Sequence, residues 1–139
     1  MAQRPLPVPD EQSAPYWKAA AEHVLTVARC SRCGAYSIPI SAECDRCHSP
    51  DPDYRFEPVT GRGTIRSWTV IQQSFLPGFD DDVPFVLVDV ELDEQPDLRM
   101  IGRLLDGANA PRHLGDRVTV AFEDLAPGSS VPAFTLDAT

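Results

Sequence analysis

The sequence predicts a mainly β protein, in which a short N-terminal helix and a four-cysteine zinc ribbon precede a five-stranded antiparallel barrel. Two observations carry this prediction. Four cysteines form two Cys-x-x-Cys pairs, at Cys30, Cys33, Cys44 and Cys47, a spacing typical of a metal-binding ribbon. Beyond residue 63, five short stretches alternate between apolar and polar residues, and turn signals rather than long helices separate them. The length of 139 residues fits one ordinary domain or two very small ones.

The composition excludes several functional classes. The chain has 12 basic and 21 acidic side chains, a formal net charge of −9, whereas a protein that binds duplex nucleic acid through phosphates needs a basic face. No stretch of about 18 apolar residues is present, which argues against a membrane-spanning helix. The first nine residues lack the apolar core of a secretory signal. We therefore expect a cytoplasmic protein, whose cysteines more often bind a metal than form disulfides.

The first segment, residues 1–12, is predicted to be an extended N-terminal arm because it contains three prolines. Two interpretations stay open, a disordered tail and an arm that lies on a partner. A helix is predicted to follow, with Ser13 as its cap and Pro15 in its first turn. Its apolar residues, among them Tyr16 and Trp17, recur at helical spacing and form a stripe that faces either the protein's own core or a partner.

Residues 13–57 combine this helix with the cysteine ribbon. A two-residue gap lets both thiolates of a pair reach one ion, and two pairs complete a tetrahedral shell. Because four protein ligands leave no position open for water or substrate, we expect a structural Zn²⁺, with iron in the same shell as the alternative. Gly34 follows the first pair, where a left-handed turn residue is useful, whereas His48 follows the second pair and is a weaker match.

Residues 58–139 contain the predicted barrel, and the charge is concentrated there. Residues 1–60 hold 6 basic and 8 acidic side chains (net −2), and residues 61–139 hold 6 and 13 (net −7). Strands are predicted at 65–70, 85–92, 98–105, 117–122 and 131–136. Alternation places Ile65, Ser67 and Thr69 on one face of the first strand. In the second strand, the alternation places Val86, Val88, Val90 and Leu92 on one face.

The loop between the first two predicted strands contains three large apolar residues, Phe75, Leu76 and Phe79. Apolar residues at a loop tip indicate a contact surface for a protein or a ligand. Packing of the loop back onto the barrel is the alternative. No catalytic motif accompanies this loop, since the chain has neither a Gly-x-Ser-x-Gly elbow nor a Gly-rich phosphate loop.

Several motifs together are similar to a known two-part family. They are Pro15-Tyr-Trp, Cys30-x-x-Cys-Gly, Cys44-x-x-Cys, Gly61-Arg-Gly-Thr-Ile-Arg-Ser-Trp-Thr-Val and Leu114-Gly-Asp-Arg-Val. The chain resembles, from about residue 13 to 136, the acyl-CoA-associated family in which a rubredoxin-like zinc ribbon precedes an OB-fold domain. The cysteine pairs alone are generic, whereas their combination with the glycine-rich strand motif is specific.

The resemblance implies a non-catalytic subunit that forms a hetero-oligomer with a thiolase-superfamily enzyme. Such complexes carry out thiolytic or retro-aldol cleavage of acyl-CoA, for example in lipid or steroid side-chain degradation, and the catalytic residues belong to the partner. Tyr16, Trp17, Phe75, Leu76 and Phe79 are the candidate interface residues, since buried aromatic and apolar anchors dominate stable interfaces.

The resemblance also implies that the chain can help to form the acyl-CoA passage, and we expect any acyl-CoA site there to be a composite one shared with the enzyme. Arginine is the expected partner of the CoA phosphates, and Arg62, Arg66 and Arg103 are the candidate contacts. Because this half of the chain is strongly acidic, we expect the enzyme to supply most of the basic residues. No nucleic acid is expected as a partner.

Two other functions stay open at this point. An OB-fold could bind single-stranded nucleic acid by stacking bases on Trp68, Tyr54 and Phe56, although the barrel lacks a basic groove. A four-cysteine iron centre could instead transfer electrons.

Overall fold

The computed structural model describes residues 4–137, in which one short helix and eight strands form a ribbon and a barrel. In chain order these elements are α1 (Ala14–Ala21), β1 (Thr26–Arg29), β2 (Tyr36–Ser37), β3 (Arg55–Pro58), β4 (Arg62–Ile71), β5 (Phe85–Leu92), β6 (Arg99–Arg103), β7 (Arg117–Ala126) and β8 (Ser129–Leu136). No helix among these residues is long and apolar enough to cross a membrane.

The first sheet belongs to the ribbon and has the order β2-β1-β3, with both neighbours antiparallel to β1. Ala28 at its centre lies between Ser37 of β2 and Phe56 of β3. Thr26 lies two residues before Ala28, and therefore on the same face of β1. The sheet connects the two cysteine turns to the rest of the protein.

The second sheet is the five-stranded barrel, with the order β6-β5-β4-β7-β8 and antiparallel pairing throughout. A parallel bridge between Leu104 and Phe134 joins its two ends. The predicted class is confirmed: a mainly β chain with one N-terminal helix, a four-cysteine site and a closed five-stranded barrel of the OB-fold type.

One hydrophobic core serves both parts of the molecule. The predicted inward face of β5 is confirmed, since its three valines and Leu92 are at most 1% exposed. Leu25 and Val27 of the ribbon join the same buried cluster as Phe134 of the barrel. A hydrogen-bonded pair reinforces the junction, because the Tyr36 backbone N donates to Gln95 Oε1 (2.9 Å) and Gln95 Nε2 donates to Tyr36 O (3.0 Å).

The alternation predicted for β4 is wrong beyond Ile65. A bulge shifts the register between Ile65 and Ser67, so that Trp68 and Val70, and not Ser67 and Thr69, lie opposite the inward valines of β5. An extra residue in one strand moves all following side chains to the other face. Val70 accordingly packs against the core, while Ser67 and Thr69 are exposed.

The predicted helix forms, but Ser13 does not cap it with its side chain. Ser13 Oγ instead accepts from the Asp10 backbone N (3.1 Å), while Asp10 Oδ1 accepts from the Ser13 backbone N (2.7 Å). Asp10 therefore closes a turn that precedes the helix, and its O accepts from the Ala14 N (2.8 Å). A side-chain oxygen already bonded within that turn is not free to cap the next one.

The N-terminal arm lies against the barrel of its own chain. Arg4 pairs with Asp82 (2.6 Å) and Glu123 (3.1 Å), and its guanidinium lies 5.0 Å from the centre of the Phe79 ring. Residues 1–3 of the predicted arm are outside the described residues, as are residues 138–139 of the predicted barrel segment. The division into 1–12, 13–57 and 58–139 stays a proposal, and its last boundary falls within β3.

Tyr16 connects α1 to the core, and its burial should make the protein less stable at alkaline pH. Burial raises the pKa of Tyr16 to about 12. Because the unfolded chain ionises this phenol near pH 10, the free energy of unfolding should fall by about 2 kcal/mol between pH 10 and pH 12, while the contribution is fully present below pH 10. Urea unfolding of the wild type and of Tyr16→Phe across this range measures the effect. The other tyrosines titrate in both proteins, so equal pH slopes would contradict the prediction.

Candidate functional site

The four cysteines meet at the tip of the ribbon, where two similar turns carry them. In the first turn the Gly34 N donates to Cys30 O (2.8 Å), and in the second the His48 N donates to Cys44 O (2.9 Å). Gly34 has φ +80° and His48 has φ +60°. His48 thus occupies the left-handed position that glycine fills in the first turn, although a residue with a Cβ adopts it at a cost.

The sulfur positions fit a tetrahedral metal site. All four Sγ atoms lie within 4.8 Å of one another, the one such group of potential ligands in the part of the chain that the structure describes. Cys30 Sγ lies 3.8 Å from Cys47 Sγ, and Cys33 Sγ lies 3.7 Å from Cys44 Sγ. Zn–S bonds of about 2.3 Å in a tetrahedron place sulfurs about 3.8 Å apart. The four cysteines are therefore a metal-binding cluster whose dimensions are consistent with zinc.

Backbone amides form hydrogen bonds to two of the four sulfurs, one in each turn. The Arg32 N points at Cys30 Sγ and the Arg46 N at Cys44 Sγ, each at 3.4 Å. Hydrogen bonds from the Cys47 and Arg46 amides lower the pKa of Cys44 to about 6. Donors of this kind favour the thiolate, which is the form that binds a metal.

The arginines beside the cluster brace the ribbon. Arg29 Nε donates to Gly34 O (2.7 Å) and its Nη1 to Glu57 (3.0 Å), so that Arg29 ties the first turn to β3. Arg32 binds the backbone and the carboxylate of Asp51. Hydrogen bonds to Glu57 raise the pKa of Arg29.

The candidate interface residues do not form one exposed patch. Phe75 is 90% exposed and Leu76 is 59% exposed, at the tip of the β4–β5 loop. Phe79 instead packs back onto the barrel, with its ring centre 5.8 Å from that of Phe85. Tyr16 and Trp17 are half-buried in edge-to-face contact at 4.9 Å, and Tyr16 also packs against the ribbon.

The three candidate CoA arginines are not brought together. Arg103 lies opposite Leu87, which pairs with Thr69 of β4, seven residues beyond Arg62. At about 3.3 Å per residue, that separation is about 23 Å along the sheet. Arg103 pairs with Asp82 (3.3 Å) and Arg66 pairs with Glu91 (2.6 Å). Two of the three cations are therefore already engaged with carboxylates of this chain.

The residues proposed to stack bases are also separated. Trp68 belongs to β4 of the barrel, and the Arg112 guanidinium carbon lies over it, 5.3 Å from the centre of the Trp68 ring. Phe56 belongs to β3 of the ribbon sheet, and Tyr54 immediately precedes that strand. The buried Tyr54 hydroxyl has no hydrogen-bond partner among the described residues.

A cluster of His23, Asp124 and Ser130 joins the end of α1 to the β7–β8 hairpin and was missed in the sequence. His23 Nε2 lies 2.7 Å from Asp124 Oδ1, and Ser130 Oγ donates to the same oxygen at 2.6 Å. Both of these hydrogen bonds lower the pKa of Asp124, and the one from Ser130 has the larger effect. Because Ser130 bonds to the carboxylate and not to the imidazole, the cluster lacks the nucleophile–base contact of a hydrolase triad.

Both the ribbon and the barrel of this chain match models of known protein families. Residues 17–53 match the family model of the ChsH2 rubredoxin-like zinc ribbon domain, and residues 56–123 match that of the ChsH2 C-terminal OB-fold domain. A curated relative, the probable enoyl-CoA hydratase alpha subunit of Thermomonospora curvata, is 28% identical over 133 residues, which are 96% of this chain and 40% of that protein. The chain thus spans less than half the length of that relative.

Two solved structures share the fold. A chain of the Ltp2-ChsH2(DUF35) aldolase superposes with a TM-score of 0.78 at 25% identity, covering 94% of this chain and 98% of that one. A DUF35 protein of unknown function from Sulfolobus solfataricus gives a TM-score of 0.56 at 12% identity, covering 91% and 89%, and shows likeness of fold alone. With its zinc-ribbon and OB-fold domains matched in order along the sequence, this chain belongs to the ChsH2 family.

Proposed function

We propose that this chain is a non-catalytic accessory subunit that binds and stabilises a thiolase-superfamily enzyme and helps to form its acyl-CoA passage. The observation that carries the proposal is the likeness to a chain of the Ltp2-ChsH2(DUF35) aldolase over nearly the full length of both chains. The reaction of the complex would be thiolytic or retro-aldol cleavage of an acyl-CoA. The cysteine cluster would hold a structural Zn²⁺ that keeps the ribbon folded.

Two features of the described residues support a role through a partner. The polar cluster at His23 lacks a serine–histidine contact, and the cysteines are grouped as metal ligands. In contrast, Phe75 and Leu76 present a large apolar surface to solvent at a loop tip. Interfaces gain most of their binding energy from a few anchors that become buried at the centre, and aromatic residues such as Phe are enriched in interfaces.

An acyl-CoA passage, if shared, would be completed by the enzyme. Arg66 and Arg103 are paired with carboxylates and lie apart from exposed Arg62. A phosphate would have to compete with those carboxylates for the same guanidinium donors. We therefore place the main phosphate contacts on the partner, with Arg62 as the available contribution of this chain.

Co-expression with a thiolase-superfamily enzyme from the same organism tests the proposal. A stable complex is expected on size-exclusion chromatography, and the enzyme should be more soluble and more active in it. Phe75→Glu with Leu76→Glu should weaken the complex at least 30-fold, because burying two charges replaces two apolar anchors.

Leu114→Glu is the matched control, since Leu114 is 66% exposed on a different loop. It should leave the complex intact. An enzyme that is equally soluble and active alone, with no complex eluting, would rule out the accessory role. Equal loss in the Leu114 variant would reject only the assigned surface.

A further inference from the structure

The N-terminal arm and the β4–β5 loop (residues 72–84) meet in one cluster of charged and aromatic side chains. Arg4 of the arm donates through Nη2 to Asp82 of the loop (2.6 Å) and through Nη1 to Glu123 of β7 (3.1 Å). Its guanidinium also lies over the Phe79 ring of the same loop. One side chain therefore joins the arm, the loop and the barrel.

Arg103 completes this cluster from β6. Its Nη1 lies 3.3 Å from Asp82 and 3.8 Å from Glu123. Its guanidinium lies over the ring of Phe85, the residue against which Phe79 packs. The two arginines balance the charge of the two carboxylates. A chain without the arm's arginine would therefore keep two partly buried carboxylates with one arginine between them, and one negative charge would lack a partner.

The cluster is partly shielded from water, which strengthens it. The side chain of Arg4 is 19% exposed, and those of Asp82 and Glu123 are 29% and 20% exposed. Isolated ion pairs at the surface contribute little, whereas water and salt screen a partly buried network less. The hydrogen bond from Arg4 has the largest effect on the pKa of Asp82, which lies below its usual range.

The backbone of the β4–β5 loop is not tied to the barrel by hydrogen bonds of its own. In the part of the chain that the structure describes, the one backbone–backbone hydrogen bond of residues 72–84 joins the Asp82 N to Phe79 O (3.0 Å). A segment with so few backbone hydrogen bonds depends on side-chain contacts for a fixed conformation. Asp82 and Phe79 are also the two loop residues that Arg4 contacts.

The sequence of the arm suits it to hold Arg4 in a defined place. Pro5, Pro7 and Pro9 restrict φ at three of the six residues from 4 to 9. Ordering this arm therefore costs less conformational entropy than ordering a tail without prolines. Leu6 and its two neighbouring prolines also line a groove of the barrel together with Leu125 of β7.

We propose that Arg4 is a positioning residue, which holds the β4–β5 loop against the barrel and thereby presents Phe75 and Leu76 to the partner in one arrangement. The inference rests on the proposed function, because these two residues are the docking surface assigned there. A loop that is already ordered loses less conformational entropy when it docks, so the contact with Arg4 should raise the affinity of the complex.

The first test uses the free, full-length, zinc-loaded chain and needs no partner. Amide exchange at Asp82, measured by NMR, reports on the turn that Arg4 contacts. Chymotrypsin cleavage after Phe75 or Leu76, identified by mass spectrometry, reports on the loop tip. In Arg4→Ala both should become about 5-fold faster, as expected for the loss of one well-placed ionic contact. Arg4 lies outside every helix and strand, so this variant should keep the fold.

Arg117→Ala is the matched control for this test. Arg117 also joins two segments through a carboxylate, since it binds Asp93 (2.7 Å), but Asp93 follows the opposite end of β5 from the loop. Both rates should stay at their wild-type values in this variant. Arg4→Lys keeps the charge but cannot place two terminal nitrogens on two carboxylates, so it should restore only part of the protection.

Glu123→Gln tests whether β7 is the anchor of this contact. It removes one of the two carboxylates that Arg4 joins while keeping the side-chain shape. In this background Arg4→Ala should accelerate exchange at Asp82 less than it does in the wild type, because the two substitutions remove the same contact. Equal acceleration in both backgrounds would reject the assigned anchor.

The second test measures the complex with the thiolase-superfamily enzyme. Arg4→Ala should weaken it about 5-fold, and Arg117→Ala should not. Unchanged exchange and cleavage in free Arg4→Ala would overturn the proposal, and a weaker complex would then mean that Arg4 touches the enzyme directly. A loosened loop with unchanged affinity would also reject it. If the wild type forms no complex, the proposed function fails, while the exchange rates still decide whether Arg4 orders the loop.

Discussion

Cys44→Ser is expected to remove the bound metal and unfold the ribbon. Cys44 is fully buried at the centre of the cluster, and its Sγ lies 3.7 Å from Cys33 Sγ. A serine oxygen cannot replace the thiolate, and the other three ligands cannot close a tetrahedral shell. Structural zinc sites contribute about 10–16 kcal/mol of apparent binding free energy to small domains. The ribbon has almost no core of its own, so nothing comparable offsets that loss.

The damage should reach the barrel as well. Leu25 and Val27 belong to the common core cluster, and each buried side chain of this size contributes about 1.5–3 kcal/mol. We expect the barrel to lose several kcal/mol of stability while keeping its strands, because most of its core residues come from β4 to β8. Thermal unfolding followed by circular dichroism, together with limited proteolysis of residues 25–55, measures the two effects separately.

His48→Asn is the matched control for this prediction. It keeps a residue that tolerates the left-handed φ of +60° and removes the imidazole, which contacts Glu43 at 3.0 Å. This variant should retain one equivalent of metal by mass spectrometry of the native protein. A Cys44→Ser protein with a full equivalent of metal and unchanged proteolysis would contradict the prediction. A red wild-type protein with iron would favour electron transfer over the structural-zinc role.

Gly61→Ala is expected to be among the most destabilising single substitutions in the barrel. Gly61 has φ +75°, and a Cβ built there would lie 2.1 Å from Val120 Cγ1. The Gly61 O also accepts a hydrogen bond from the Val120 N (2.8 Å), so the two backbones cannot separate freely. The alanine must therefore bear both the left-handed conformation and an overpacked contact.

Gly107→Ala is a matched control because the alanine would bear the left-handed conformation without an overpacked contact. Gly107 has φ +95° and no atom within 4 Å of a built Cβ. We expect the free energy of unfolding to fall about 1–3 kcal/mol further in Gly61→Ala than in Gly107→Ala. Urea unfolding of the zinc-loaded proteins measures the difference.

A second variant tests the assigned contact. In the Gly61→Ala/Val120→Ala double variant, removal of the Val120 methyl groups should restore part of the stability lost at Gly61. A double-mutant cycle with coupling above about 0.5 kcal/mol would support direct contact. Equal losses at Gly61 and Gly107, or additivity in the cycle, would show that backbone conformation alone determines the effect.

The sequence alone was sufficient to predict the ribbon and the strands of the barrel. The ribbon is a local structure, since the spacing of Cys30 and Cys33, and of Cys44 and Cys47, places both thiolates of each pair within one turn. The inward face of β5 follows directly from the two-residue period of a strand. Both predictions depend on residues that are close together in the chain.

The tertiary structure alone decided the features that depend on distant residues. The bulge in β4 places Trp68 and Val70, and not Ser67 and Thr69, opposite the buried valines of β5, because register is set by pairing with β5 and not by the alternation within one strand. Gly61 must be glycine because Val120, 59 positions later, occupies the place of its Cβ. Arg103 is held by Asp82 and Glu123, so its charge is not free for a ligand. Chemistry confined to a turn or a strand is readable in a single sequence, whereas a contact between segments far apart requires the folded coordinates.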